Sequence, residues 1–262
     1  MHTLRSGDAT IAYDVDGAGD PLLLIMGLAA DRRMWMLQLP VLTPHFRCIT
    51  FDNRGIGDST APPGPFSMEQ MAADALAVLD EAQVERAHVL AISMGGAIAQ
   101  HLALKAPERV RSMVLASTWC SRNPYTQRMS DVGRKIMEAG GQAAITRASM
   151  LWLFTPKFIL ERSAFVQQIE QMALEFATHP EVFERQLDAL LEHDVRDQLA
   201  RLDIPTRVMC GRRDIMVPPE LSEELAAAIP GADLKLLDGG HAYNLEEFDA
   251  FNKTVLEFLA QN

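Results

Sequence analysis

Cysteine is scarce in this chain. There are three in 262 residues, Cys48, Cys120 and Cys210, and no two form a Cys-x-x-Cys pair. That spacing excludes a zinc ribbon and a dithiol redox motif. Cys48 and Cys210 lie in apolar, strand-like runs, where a reduced thiol packs as a small hydrophobe, and Cys120 is read the same way. Positive charge is also short: 24 Lys and Arg face 35 Asp and Glu, for a net charge of −11. With no basic stripe, a nucleic-acid partner is excluded. Long apolar runs are missing too, since the stretch from Leu22 to Ala30 is far too short to span a bilayer. The N-terminal Met-His-Thr-Leu-Arg-Ser-Gly-Asp has no apolar signal core. No His, Asp or Glu cluster has the spacing of a metal site, so no metal or cofactor is expected. The expectation is a cytoplasmic protein with no membrane partner. Nothing in the chain sets its oligomeric state.

What remains is ordinary globular composition, 48% hydrophobic and 23% charged. The length suits one large α/β domain with an insertion. Strands are expected over Thr10 to Val15, Pro21 to Met26 and Phe46 to Phe51. Helices are expected from about Arg33 to Leu42 and, capped by Ser67, to about Glu81. A strand ending at Ile92, a helix to Lys105 and a strand from Val110 to Ala116 follow. This alternation indicates a mostly parallel sheet covered on both faces. It stops over residues 121–199, a helical stretch with breaks at Gly140-Gly141, Pro156 and His179-Pro180. It resumes with a strand Arg207 to Cys210, a helix Pro219 to Ala228, a strand Leu234 to Leu237 and a helix Leu245 to Leu259. The expected organisation is a core of residues 1–120 and 200–262 with a helical cap over 121–199.

The run Val89-Leu90-Ala91-Ile92-Ser93-Met94-Gly95-Gly96 reads as a strand turning sharply into a helix on one serine. A hydroxyl placed there projects at the carboxyl end of the strand, beside the first backbone N–H groups of the helix. Serine also serves as a small N-cap, so the reading depends on partners. A serine hydroxyl needs a base, and the base works best when a carboxylate orients it. In open α/β sheets such groups follow the carboxyl ends of strands. Two loops do: Gly211-Arg212-Arg213-Asp214 and Asp238-Gly239-Gly240-His241. His241 follows two glycines that free its loop. Asp214 competes with a role pairing Arg212 or Arg213, and Asp238 is a second candidate acid that better suits shaping its own turn.

These residues, in the order Ser, Asp, His, resemble the α/β-hydrolase family, serine-nucleophile branch. The family elbow Gly-x-Ser-x-Gly stands here as Ala91-Ile92-Ser93-Met94-Gly95, and Asp52-Asn53-Arg54-Gly55-Ile56-Gly57-Asp58-Ser59 matches a family loop in which Arg54 is structural. The resemblance implies an eight-stranded, mostly parallel sheet with a helical cap after the sixth strand. It implies Ser93 as nucleophile, Asp214 as orienting acid and His241 as base. It also implies an oxyanion hole from the backbone N–H groups of Met94 and Leu28, although Met26-Gly27-Leu28 lacks the histidine common before that glycine. Met36 to Arg47 and Trp152 to Phe158 are similar to segments of bacterial enol-lactonases, and small carboxylesterases are an equal match. The implied activity is cleavage of a small, mainly apolar ester or lactone, with Trp119, Tyr125, Met129 and Trp152 facing the substrate. The alternatives are a hydrolase-fold small-molecule sensor and a carbon–carbon bond hydrolase.

Overall fold

Among the described residues eight strands form one sheet. The computed structural model describes residues 1–175 and 178–262. The first strands are β1 (His2–Ser6), β2 (Ala9–Asp16) and β3 (Asp20–Ile25), followed by a short 3-10 turn and α1 (Leu39–Leu42). Then come β4 (Phe46–Phe51), α2 (Met68–Glu81), β5 (Ala87–Ile92), α3 (Met94–Lys105) and β6 (Val110–Ala116). Four helices follow: α4 (Pro124–Leu153), α5 (Pro156–Glu161), α6 (Ser163–Glu175) and α7 (Pro180–Leu191). The chain closes with β7 (Thr206–Gly211), α8 (Pro219–Ala228), β8 (Asp233–Leu237), α9 (Tyr243–Glu246) and α10 (Phe248–Leu259).

In the order β1-β2-β4-β3-β5-β6-β7-β8, β1 pairs antiparallel with β2 and β2 antiparallel with β4, and the other five pairings between these strands are parallel. The sheet therefore needs helices on both faces. Residues from α2, α3 and α8 pack on one face, and α10 residues such as Phe251 and Val255 on the other. β5 is buried along its whole length, which explains its unbroken apolar reading. From β3 the chain runs first to β4 on one side and then to β5 on the other. The crevice of an open α/β sheet lies at such a reversal, here between the ends of β3 and β5.

Three elements differ from the sequence expectation. β1 was not foreseen, because an edge strand with three exposed residues carries almost no apolar pattern. The helix expected from Arg33 to Leu42 is a 3-10 turn, Arg32–Trp35, and then α1. Pro40 explains the restart, since proline is tolerated in a first turn and not in a helix interior. The helix expected from Leu245 to Leu259 starts earlier and is broken at Glu247, whose φ of −111° and ψ of 45° are not helical. In α4, Gly141 sits at φ 65° and ψ −166°, kinking the helix at the glycine pair.

The loop after β4 is held by buried ions. Arg54 Nε and Nη2 donate to the two Asp74 oxygens of α2 at 2.7 and 2.8 Å, with both side chains buried. Asp52 accepts from the Arg32 amide at 2.8 Å and also pairs the Arg32 guanidinium. Such pairs cost a great deal when one partner is removed.

Two histidines stand outside this ion network. His88 Nδ1 meets Ser112 Oγ at 2.7 Å, and His193 meets His101 and the Trp119 carbonyl, each at 3.1 Å. Burial pushes both imidazoles down to about 4. The unfolded chain takes up these protons near pH 6.5, before the folded one does. Stability is thus full above pH 6.5 and falls as pH drops toward 4, by several kcal/mol. Urea melts at pH 7.5 and pH 5 should show a lower midpoint at pH 5. Replacing His88 with an uncharged residue of similar size should remove roughly half of that dependence, the His193 share remaining.

Candidate active site

Ser93 is the hinge between β5 and α3, with φ 56° and ψ −122°. Such a backbone costs on the order of 1–3 kcal/mol for a residue with a side chain. It is held by neighbours: the Ser93 amide donates to Ala116 O, and Gly96 N donates to Ser93 O, both at 2.8 Å. The glycines after it have steric causes. A methyl group on Gly95 would stand 2.2 Å from Ile25 O, and one on Gly96 would stand 2.5 Å from the Thr118 side chain. Ala91, at the first position of the elbow, is wholly buried and packs within the core, so its methyl has room.

Asp214 and His241 come together from two loops tied by their backbones. Arg212 N donates to Leu237 O at 2.8 Å and Arg213 N to Gly239 O at 2.9 Å. Gly211 lets the loops approach, because a methyl there would lie 2.2 Å from Gly240 O. Across this seam His241 Nδ1 lies 2.8 Å from Asp214 Oδ2, and both residues are buried. The other oxygen, Oδ1, accepts from the amides of Met216 and Val217 at 2.9 and 2.8 Å. A carboxylate with both oxygens engaged is fixed in place, and it fixes the imbalance of the ring nitrogens: Nδ1 donates, leaving Nε2 free to accept. Asp238 does not reach His241; it makes an exposed pair with Arg213 at 3.3 Å. Ser93 and His241 line the same cavity, of about 300 Å³, which opens where β3 and β5 end.

Gly27 permits the close approach of the loop after β3, since a methyl on it would sit 3.1 Å from Ser93 Cβ. Residues Gly27 to Ala30 form a turn closed by Ala30 N to Gly27 O at 3.4 Å, with Ala29 at φ 56°. Among the described residues the Leu28 amide has no acceptor. The Met94 amide is the first of α3 and has none within that helix. Two N–H groups without an acceptor among the described residues thus stand on either side of Ser93.

The cavity is apolar, walled by Met26, Met34, Met150, Phe154, Phe183 and Leu187 among others, and no Lys or Arg is among its described lining residues. Trp119, Met129 and Trp152 line it. Tyr125 does not. It is 43% exposed and its hydroxyl donates to Ile215 O, so the first turn of α4 turns this ring outward. The sequence reading missed the partly buried Met34, in the 3-10 turn, and Met216, in the loop after β7, which also line the cavity.

The cap is rooted at the histidine loop. Glu246 accepts from Thr155 N and Gly240 N through Oε1, at 2.8 and 3.1 Å, and from Thr155 Oγ1 through Oε2 at 2.7 Å. Ala242 N donates to Leu153 O at 2.9 Å. The three cysteines are buried thiols, pushed up to about 12 by burial, and none lines the cavity. No group of three or more potential metal ligands occurs among the described residues. No helix among them is long and apolar enough to cross a membrane.

The sheet order, the elbow and the paired loops define the class. Residues 20–248 match the family model described as alpha/beta hydrolase fold, and the chain belongs to that family. A protein from Azorhizobium caulinodans named "Putative carbamate hydrolase RutD" is 36% identical over 263 residues, covering 100% of this chain and 99% of the relative. The crystal structure of a hydrolase from Pseudomonas aeruginosa superposes with a TM-score of 0.90 at 35% identity, covering 98% and 97% of the two chains. The enol-lactonase from Burkholderia xenovorans is 28% identical with a TM-score of 0.91, covering 99% and 100%. The chain is a hydrolase of this fold.

Proposed function

We propose that this protein cleaves the ester or lactone bond of a small, mainly apolar carboxylic ester through an acyl-enzyme intermediate. The observation that carries the reading is the 2.8 Å bond from His241 to Asp214 beside a serine held at φ 56° in the same cavity. His241 Nε2 takes the Ser93 proton as Oγ attacks the carbonyl carbon. The carbonyl oxygen becomes an oxyanion held by the Leu28 and Met94 amides. As the tetrahedral centre collapses, the C–O bond breaks and His241 gives its proton to the departing alkoxide. Water then repeats the sequence on the acyl-enzyme, releasing the acid and free Ser93.

An apolar cavity without Lys or Arg in its lining favours a neutral acyl group, because a buried carboxylate there would have no counter-charge. The relatives named as carbamate hydrolases support a second reading, attack on a carbamate carbonyl by the same groups. Rates on matched p-nitrophenyl butyrate, a medium-ring lactone and p-nitrophenyl N-methylcarbamate decide between them. Repeated turnover of the butyrate or lactone, at least tenfold faster than the carbamate, is expected. The reverse order would replace the ester reading with the carbamate one. A single stoichiometric turnover on all three would instead support a ligand sensor.

A further inference from the structure

We propose that Gln186, with Thr178, is a positioning residue for the oxyanion loop: two cap side chains hold Ala29 in its left-handed conformation and so aim the Leu28 amide. This rests on the serine-hydrolase reading above. Leu28 and Ala29 are the central residues of the turn from Gly27 to Ala30, and the shape of the turn sets where the Leu28 N–H points. A turn with positive φ at its third residue ordinarily uses glycine or asparagine there. Here alanine occupies it at φ 56°, and its two backbone polar groups are both taken from the cap. Gln186 Oε1 accepts the Ala29 N–H at 3.0 Å, and the Thr178 hydroxyl donates to Ala29 O at 3.1 Å.

Gln186 is fully buried, and its Nε2 has no partner among the described residues. Among them, the one bond that its amide makes is therefore that to Ala29. That bond also occupies the Ala29 N–H, while the Leu28 N–H has no acceptor among the described residues. The arm is stiff. α7 is fastened to the core beside it, with Arg185 Nη2 donating to Pro62 O at 2.6 Å and its guanidinium 3.7 Å above the Phe66 ring. Phe183 and Leu187, on the same side of α7, pack against Leu28 and Ala29. An oxyanion donor acts in the transition state more than on bound substrate, so misplacing it lowers kcat and spares KM.

The test is Gln186→Met, which keeps the length and removes the acceptor, assayed with p-nitrophenyl butyrate, by fluorophosphonate labelling and by thermal unfolding. Expected is a kcat lower by roughly 10- to 100-fold with KM within about twofold, and slower labelling. Ala29→Gly in the Gln186→Met background should bring kcat back to within about threefold, because glycine holds a positive φ unaided. Gln186→Met that folds and keeps wild-type kcat overturns the proposal. So does a loss that Ala29→Gly fails to recover. If Gln186→Met does not fold, Thr178→Val carries the test: a severalfold lower kcat supports the proposal and an unchanged one overturns it. Failure of the underlying reading looks different, since the wild-type enzyme would then go unlabelled at Ser93 and Ser93→Ala would keep its turnover.

Discussion

Ser93→Ala lowers kcat by at least about 10⁴-fold and leaves the melting temperature within a few degrees of wild type. The size follows from the covalent route: without Oγ no acyl-enzyme forms, and the residual rate comes from water held near the oxyanion donors. The unchanged stability follows from the elbow. Its bonds to Ala116 O and from Gly96 N use Ser93 backbone groups, which alanine retains. The hydroxyl makes no bond within the chain among the described residues, so losing it leaves no buried partner stranded. Burst kinetics with p-nitrophenyl butyrate give the readout: wild type should show an acyl-enzyme burst and the variant none. Turnover within tenfold of wild type would remove Ser93 from the mechanism.

Gly95→Ala is the second large effect, on stability and activity together. The added methyl would meet Ile25 O at 2.2 Å, Ile25 C at 2.8 Å and Met26 O at 2.9 Å. All three are backbone atoms in the central strand or just beyond it, so no side-chain rotation relieves the clash. α3 has to lift from β3, opening a seam lined by wholly buried residues such as Ile98 and Ala99. Overpacking of this kind costs about 3 kcal/mol or more, and for a chain of this size that lowers Tm by roughly 10 °C. Because α3 carries the Met94 amide, lifting it also withdraws an oxyanion donor. Circular dichroism melts paired with kcat check both halves, and a variant that melts with wild type would contradict the close approach.

Ser93, Asp214 and His241 were legible because each follows a strand that the apolar pattern marks clearly, and because glycines stand where loops must cross closely. Gly95, Gly211 and Gly239-Gly240 each mark a place where a Cβ would strike backbone or a neighbouring side chain. The cavity walls were less legible. Which face of α4 looks inward depends on the kink at Gly141, a change of direction that periodicity does not report. Tyr125 was misplaced for another reason: in the first turn of α4 its hydroxyl reaches out to Ile215 O, while Met129 and Trp152 line the cavity. Gln186 did leave a signal. With Phe183, Leu187 and Leu190 it falls on the buried side of α7 at helical spacing, so a polar side chain there has to find a polar partner. That partner, a strained alanine amide 157 residues earlier in the chain, lies beyond any local pattern. The restart at Pro40 was written in the sequence by the proline itself, whereas the break at Glu247 has no such local mark; near it a distant segment docks, with Gln38 Nε2 donating to Asn244 O at 3.0 Å.

Glu246 ties Thr155, which caps α5 in the middle of the cap, to Gly240, one residue before His241. The cap is therefore not a module that can be exchanged freely. A chimera that grafts another relative's cap onto this core would inherit a carboxylate with no threonine to receive, and the loop bearing the imidazole would lose its brace. Specificity and base placement thus share a joint, so lineages that reshape the pocket have to reshape it around this carboxylate.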